Sequence, residues 1–192
     1  ASLIFDPIGD LLYVGGSDQR EILRFQVGTW NREGIPALQS VTSGCQSMAV
    51  SPDGKFGALG TGEAALYVWP LDDRTEAKTL GTQQFKGVLN AVTFNGESTL
   101  LAAGDSRGTV MVFYRTSDDL WAWKSELRLP SGGVTGLAFL RDNSLATTST
   151  YGDVARWNID NPAVPVETMH LGSGNAEALA IDSRYRFMAV AG

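Results

Sequence analysis

Residues 88–115, VLNAVTFNGESTLLAAGDSRGTVMVFYR, read as three short strands joined by two tight turns. Apolar residues alternate up to Phe94, and Asn95-Gly96 opens a turn. Leu100 starts a second apolar run, Gly104 to Gly108 turns again, and Val110 to Phe113 is a third run. Period-two alternation rich in β-branched and aromatic residues is the pattern of strands, not helices. Two rulers carry this stretch through the rest of the chain. Phe25, Trp69, Phe113 and Trp157 stand 44 residues apart three times in succession, and Phe5, Val50, Phe94, Phe139 and Ile181 step by 45, 44, 45 and 42.

A repeat of 40–45 residues, each holding several short strands, is a sign of the blades of a β-propeller. The 192 residues therefore read as one all-β domain, with units at about 1–42, 45–86, 88–131 and 134–172 and a partial fifth at 176–192. Six residues after each first-strand anchor sits Leu11, Phe56, Leu100, Leu145 or Phe187, and ten after it Gly15, Gly60, Gly104, Ser149 or Ala191. Such columns of large and small side chains suit wedges that taper toward an axis. The fourth strand of each complete unit is expected near Leu38–Val41, Ala77–Leu80, Leu120–Leu129 and Val166–Leu171, with Gly28 to Pro36 as a polar link.

At this point the chain resembles the WD40-repeat family, along its whole length. SPDGKFGALG at 51–60 is similar to that family's turn into its second strand, and GDSRGTVMVF at 104–113 to its second-to-third hairpin. Trp69 and Trp157 match its third-strand Trp, which Phe25 and Phe113 replace elsewhere. The repeats are degenerate. The residue after the aromatic is Gln26, Pro70, Tyr114 or Asn158, never Asp, and the family's His before the first strand is absent. The family's buried Ser/Thr–His–Asp–Trp network is therefore incomplete in every unit. The resemblance implies four-stranded antiparallel blades packed face to face around a channel, commonly seven, which needs roughly 300 residues at this period. This chain would supply about four and a half of them. Its ends fall inside strand patterns, so remaining blades of a longer chain, or a second copy, are expected to close the ring.

Composition narrows the function classes. Net charge is −6 and no Lys/Arg cluster stands out, which argues against nucleic acid as the partner. Cys45 is the single cysteine, so no internal disulfide forms, and an intracellular location, cytoplasmic or nuclear, is expected. No apolar run approaches a membrane span, and no basic leader precedes an apolar segment. Gly104-Asp105-Ser106-Arg107-Gly108 fits G-x-S-x-G, but a strand follows it where a nucleophile elbow needs a helix. His170 is the only histidine and reads as a half-exposed edge-strand residue, and Cys45, in an inter-blade loop, offers it no zinc spacing. No metal or cofactor is expected. Trp121 and Trp123 fall on one face of a strand; packing explains one ring readily, and the second could anchor a partner.

Function is expected on the rim that carries the second-to-third turns and the links between blades. Asp18, Arg20, Glu63, Asp105, Arg107, Tyr151 and Asp153 come from the turns, with Gln19 and Ser106 beside them. Gln46, Lys86 and Glu177, with Asn90, Ser131, Thr135 and Asn175, lie near first-strand starts. Their mixed charge suits proteins or peptides. The preferred reading is a non-catalytic scaffold for protein–protein interaction, a subunit or adaptor of a larger complex. Its competitors are a propeller hydrolase or lactonase with a channel site, and a purely structural arc.

Overall fold

The structure, a computed structural model, describes residues 2–16, 22–35, 38, 41, 43–72, 75–172, 174–182 and 188–192. The first blade is β1 (Ser2–Phe5), β2 (Leu11–Gly15), β3 (Ile22–Gln26) and β4 (Arg32–Gly34); the second is β5 (Cys45–Val50), β6 (Phe56–Thr61), β7 (Leu66–Pro70) and β8 (Lys78–Leu80). The third is β9 (Leu89–Phe94), β10 (Leu100–Asp105), β11 (Thr109–Arg115) and β12 (Trp121–Arg128); the fourth is β13 (Val134–Phe139), β14 (Leu145–Ser149), β15 (Asp153–Trp157) and β16 (Glu167–His170). Each is an antiparallel four-stranded meander, and β17 (Ala178–Ile181) with β18 (Met188–Ala191) forms a two-stranded sheet. The rulers are structural. Phe5, Val50, Phe94, Phe139 and Ile181 each end the first strand of a blade, and the four aromatics 44 residues apart all lie on third strands.

The turns repeat as chemistry. Side-chain oxygens of Asp6, Ser51 and Asn95 accept the backbone N–H of Leu11, Phe56 and Leu100 at 2.9, 2.9 and 2.8 Å. Three residues after each cap the chain turns left-handed, at Gly9 (φ 80°) and Gly54 (φ 68°), where glycine adopts it without Cβ strain. Ser98 (φ 59°), three after Asn95, and Asn143 (φ 61°), in the fourth blade's corresponding turn, accept the strain for a bond. Ser98 Oγ accepts the Asp53 N–H at 2.9 Å, and Asn143 Oδ1 accepts from Asn95 Nδ2 at 2.9 Å, each bond crossing between adjacent blades.

Blades pack face to face through three apolar clusters. One joins Tyr13 and Ile22 of the first blade to Met48, Leu59 and Trp69 of the second. The next joins Ala58, Leu66 and Val68 to Leu101, Met111 and Phe113, and the last joins Val110 and Val112 to Phe139, Leu145 and Trp157. Fully burying a side chain of this size contributes ~1.5–3 kcal/mol. The aromatic column is matched across the strand pair: Leu12, Leu101 and Leu145 stand opposite Phe25, Phe113 and Trp157, but Gly57 stands opposite Trp69. A Cβ on Gly57 would lie 2.2 Å from Trp69 Cζ2, so the glycine makes room for the indole. A remnant of the hydrogen-bond network survives in the fourth blade, where Trp157 Nε1 donates to Thr147 Oγ1 at 3.0 Å. Leu59 occupies the equivalent place in the second blade, and the buried Trp69 Nε1 has no acceptor there.

Two expectations are corrected. The first blade's outer strand is Arg32–Gly34, inside the stretch read as a link, not Leu38–Val41. Leu38 and Val41 are buried against the second blade, with Leu38 N–H donating to Ile35 O and Val41 N–H to Leu38 O. Their apolar character reflects inter-blade burial, while β4 is polar because all three of its residues are exposed. Cys45 is not in a loop. It begins β5 at 1% exposure, its sulfur against Gly15, and burial pushes its pKa up to about 11.

Candidate interaction rim

The second-to-third turns are built by a cap that recurs every 44 residues. Side-chain oxygens of Thr61, Asp105 and Ser149 accept the backbone N–H four residues on, from Ala65, Thr109 and Asp153, at 3.2, 2.9 and 3.2 Å. The third turn residue after each cap is left-handed: Ala64 (φ 61°), Gly108 (φ 81°) and Gly152 (φ 77°). Gly108 and Gly152 lie against the carbonyls of Gly132 and Gly174, so each hairpin is wedged against the link to the next blade.

Asp105 was expected to face a partner, and the structure corrects this. Its residue is fully buried. One carboxylate oxygen accepts from Arg107 N–H at 3.0 Å as well as Thr109, and the other accepts Lys86 N–H at 3.0 Å. Buried carboxylates persist where such donors satisfy them. Ser106 Oγ accepts the Val88 N–H at 3.1 Å, so the G-x-S-x-G serine belongs to a β-hairpin. Asp153 is half-buried. Its Oδ2 accepts from Ser131 Oγ at 2.6 Å and its Oδ1 lies 2.9 Å from His170 Nδ1, and the Ser131 bond, then His170, hold its carboxyl below the usual carboxylate range. His170 itself is exposed on the outermost strand.

What remains accessible is a smaller set. Glu63, Lys86, Ser106, Arg107, Asn175 and Glu177 are exposed, and Tyr151 is 63% exposed. Gln46 and Ser131 are half-buried. Asn90 and Thr135, also half-buried, bind the blades together: Asn90 Nδ2 donates to Val134 O at 3.0 Å and Thr135 Oγ1 to Ala176 O. Ser47 Oγ donates likewise to Leu89 O at 3.0 Å. Asp18, Gln19 and Arg20 lie outside the described residues. The sequence reading missed the caps Thr61 and Ser149 and the inter-blade donor Ser47. The 44-residue spacing of Thr61, Asp105 and Ser149 was the signal available for the caps.

Among the described residues no group of three or more His, Cys, Asp or Glu could hold a metal ion, and no helix is long and apolar enough to cross a membrane. The rim thus offers exposed Tyr, Arg and Glu on hairpins fixed from beneath, with Lys86 on a link between blades, an arrangement suited to hydrogen bonds and ion pairs with a protein surface.

No protein-family model matches the chain. The WD repeat-containing protein 91 homolog of Dictyostelium discoideum is 24% identical over 180 residues, 87% of this chain and 22% of that relative. Among solved structures, a chain of the Mitotic Checkpoint Complex superposes with a TM-score of 0.81 at 19% identity, over 99% of this chain and 56% of that one, a likeness of fold. This chain therefore spans about a fifth of the relative's length and just over half of the solved chain's. With its repeating blades and third-strand aromatics, the chain has the fold of a WD40-type β-propeller with degenerate repeats and is similar in sequence to a WD repeat-containing protein.

Proposed function

We propose that the chain is a non-catalytic scaffold that holds partner proteins on its hairpin rim, as a subunit or adaptor of a larger complex. The carrying observation is Tyr151, 63% exposed on a turn whose backbone Ser149 fixes by accepting the Tyr151 and Asp153 N–H groups. Tyr and Arg dominate binding hot spots, and a rigid platform lowers the ordering cost of binding. The test compares proteins co-purified with the wild-type chain and with Tyr151→Ala plus Arg107→Glu. Loss of a specific subset is expected; identical recovery would refute rim binding.

The ring is closed, in this reading, by further blades of the same longer chain. Phe94 and Phe139, which end the first strands of the third and fourth blades, are 8% and 4% exposed, whereas Phe5 in the first blade is 49% exposed. Leu3 is 63% exposed where its counterpart Met48 is 7%. Trp30 shows the same contrast. Register places it level with Trp121, since Phe25 pairs with Arg32 and Phe113 with Trp123. Trp121 packs on Phe56 of the preceding blade at 5.7 Å between ring centroids, while Trp30 is 62% exposed. Light scattering separates the routes: a discrete dimer of the 192-residue chain would favour closure by a second copy and overturn closure in cis.

A further inference from the structure

A groove between the second and third blades, at the outer circumference, is left open by a mismatch of strand lengths. The outer strand β8 has three residues, but its neighbour β12 has eight. Trp121 and Trp123, two apart on β12, share a face. Trp121 is held beneath by Phe56 and Phe94, at 5.7 and 5.5 Å between ring centroids. Trp123 has no such cover and is 58% exposed, and Leu120, in the turn before it, is 47% exposed. The groove over Trp121 and Leu120 has a volume of about 420 Å³ and an apolar lining of Phe56, Val68, Pro70, Leu80, Leu120 and Trp121, with Trp123 outside it. That volume lies within the range of sites that seat small molecules or single side chains.

Its edge carries charge. Among the described residues, Glu76, Asp118 and Asp119 line it, with Lys78 as the opposing cation. Asp119 is paired with Arg115 at 2.7 Å, leaving Glu76 and Asp118 as exposed carboxylates at the apolar floor. An apolar slot with an acidic edge fits an apolar side chain with a cation next to it.

We propose that this groove docks a short extended segment of a partner protein, inserting an aromatic or aliphatic anchor against Leu120 and Trp121 and placing a flanking Lys or Arg against Glu76 and Asp118. The site is separate from the hairpin rim, though the inference rests on the scaffold reading. Trp121, held by Phe56 and Phe94, supplies a rigid aromatic contact at small entropic cost. The carboxylates set preference and approach more than affinity.

Random dodecamer peptides displayed on phage, selected against the full 192-residue chain, test this. Selected peptides are expected to share an apolar anchor flanked by Lys or Arg. As synthetic peptides they should lose at least ten-fold in affinity on Leu120→Asp. Glu76→Lys with Asp118→Lys should lower affinity several-fold, with the effect shrinking in high salt. All these side chains are exposed, and an unchanged circular dichroism spectrum and thermal midpoint certify the fold. Binding unmoved by the groove variants but lost on Tyr151→Ala would overturn the groove and leave the rim reading intact. Selection of no binder, or of binders without cationic flanks, would overturn it as well.

Discussion

Replacing Asp105 by Ala tests whether the rim is held up by buried capping groups. The carboxylate accepts three backbone N–H bonds, from Lys86, Arg107 and Thr109, at 2.9–3.0 Å in a fully buried residue. Bonds to a charged acceptor are worth ~1.5–3 kcal/mol each, and a buried donor left alone costs ~1–3 kcal/mol. The buried carboxylate carries its own desolvation cost, which offsets part of the sum. The expected loss is about 3 kcal/mol, or on the order of 100-fold in local opening. Native-state amide hydrogen exchange reads it residue by residue. In Asp105→Ala the Lys86 and Thr109 amides should both exchange on the order of 100-fold faster. In Asp105→Ser, which copies Ser149 of the fourth blade, Thr109 should regain protection, because the Ser149 hydroxyl caps Asp153 in that way. Lys86 should not, since a serine is too short to bridge to the link. An unchanged Lys86 amide in the alanine variant, or its rescue by serine, would refute the reasoning.

Other outcomes follow from the same geometry. Ala64→Gly relieves a left-handed residue (φ 61°) where the other two hairpins carry glycine, and should stabilise by ~0.5–1 kcal/mol in urea unfolding. Ser98→Gly should gain nothing, because it also removes the acceptor of Asp53 N–H. Trp157→Phe should cost ~1–3 kcal/mol more than Trp69→Phe, since only Trp157 donates a bond, to Thr147, while Trp69 Nε1 is already unpaired. Cys45, its pKa pushed up to about 11 by burial, should resist a thiol reagent at about pH 8 in the folded chain and react fully in denaturant. On acidification, stability should hold above the ordinary carboxylate pKa of about 3.9 and fall below it. Three carboxylates have lowered folded pKa values: at Asp53 burial opposes the shift but bonds from Ser51 and Arg115 outweigh it, Asp142 is held by Ser144 and Arg156, and Asp153 by Ser131 and His170. Asn at all three positions should flatten the acid limb of a midpoint-versus-pH series.

Period and alternation determine the blade. Phe94 ends a strand, Trp157 centres a blade interface, and Gly54 turns left-handed because neighbouring residues on the chain already fix which face each side chain takes and where the chain can reverse. Those are local facts, and 44-residue copies of them repeat the answer. Tertiary structure decided the rest, where the deciding partner is distant in sequence. Asp105 reads as an exposed turn aspartate until Lys86 and the links on either side close over it. Leu38 and Val41 read as a strand because burial against the second blade demands apolar residues without demanding a ladder. Trp121 and Trp123 are indistinguishable on the chain: one meets Phe56 of another blade, and the other stays 58% exposed. Which polar side chains remain for a partner is settled only by subtracting those that the packed blades bond to one another.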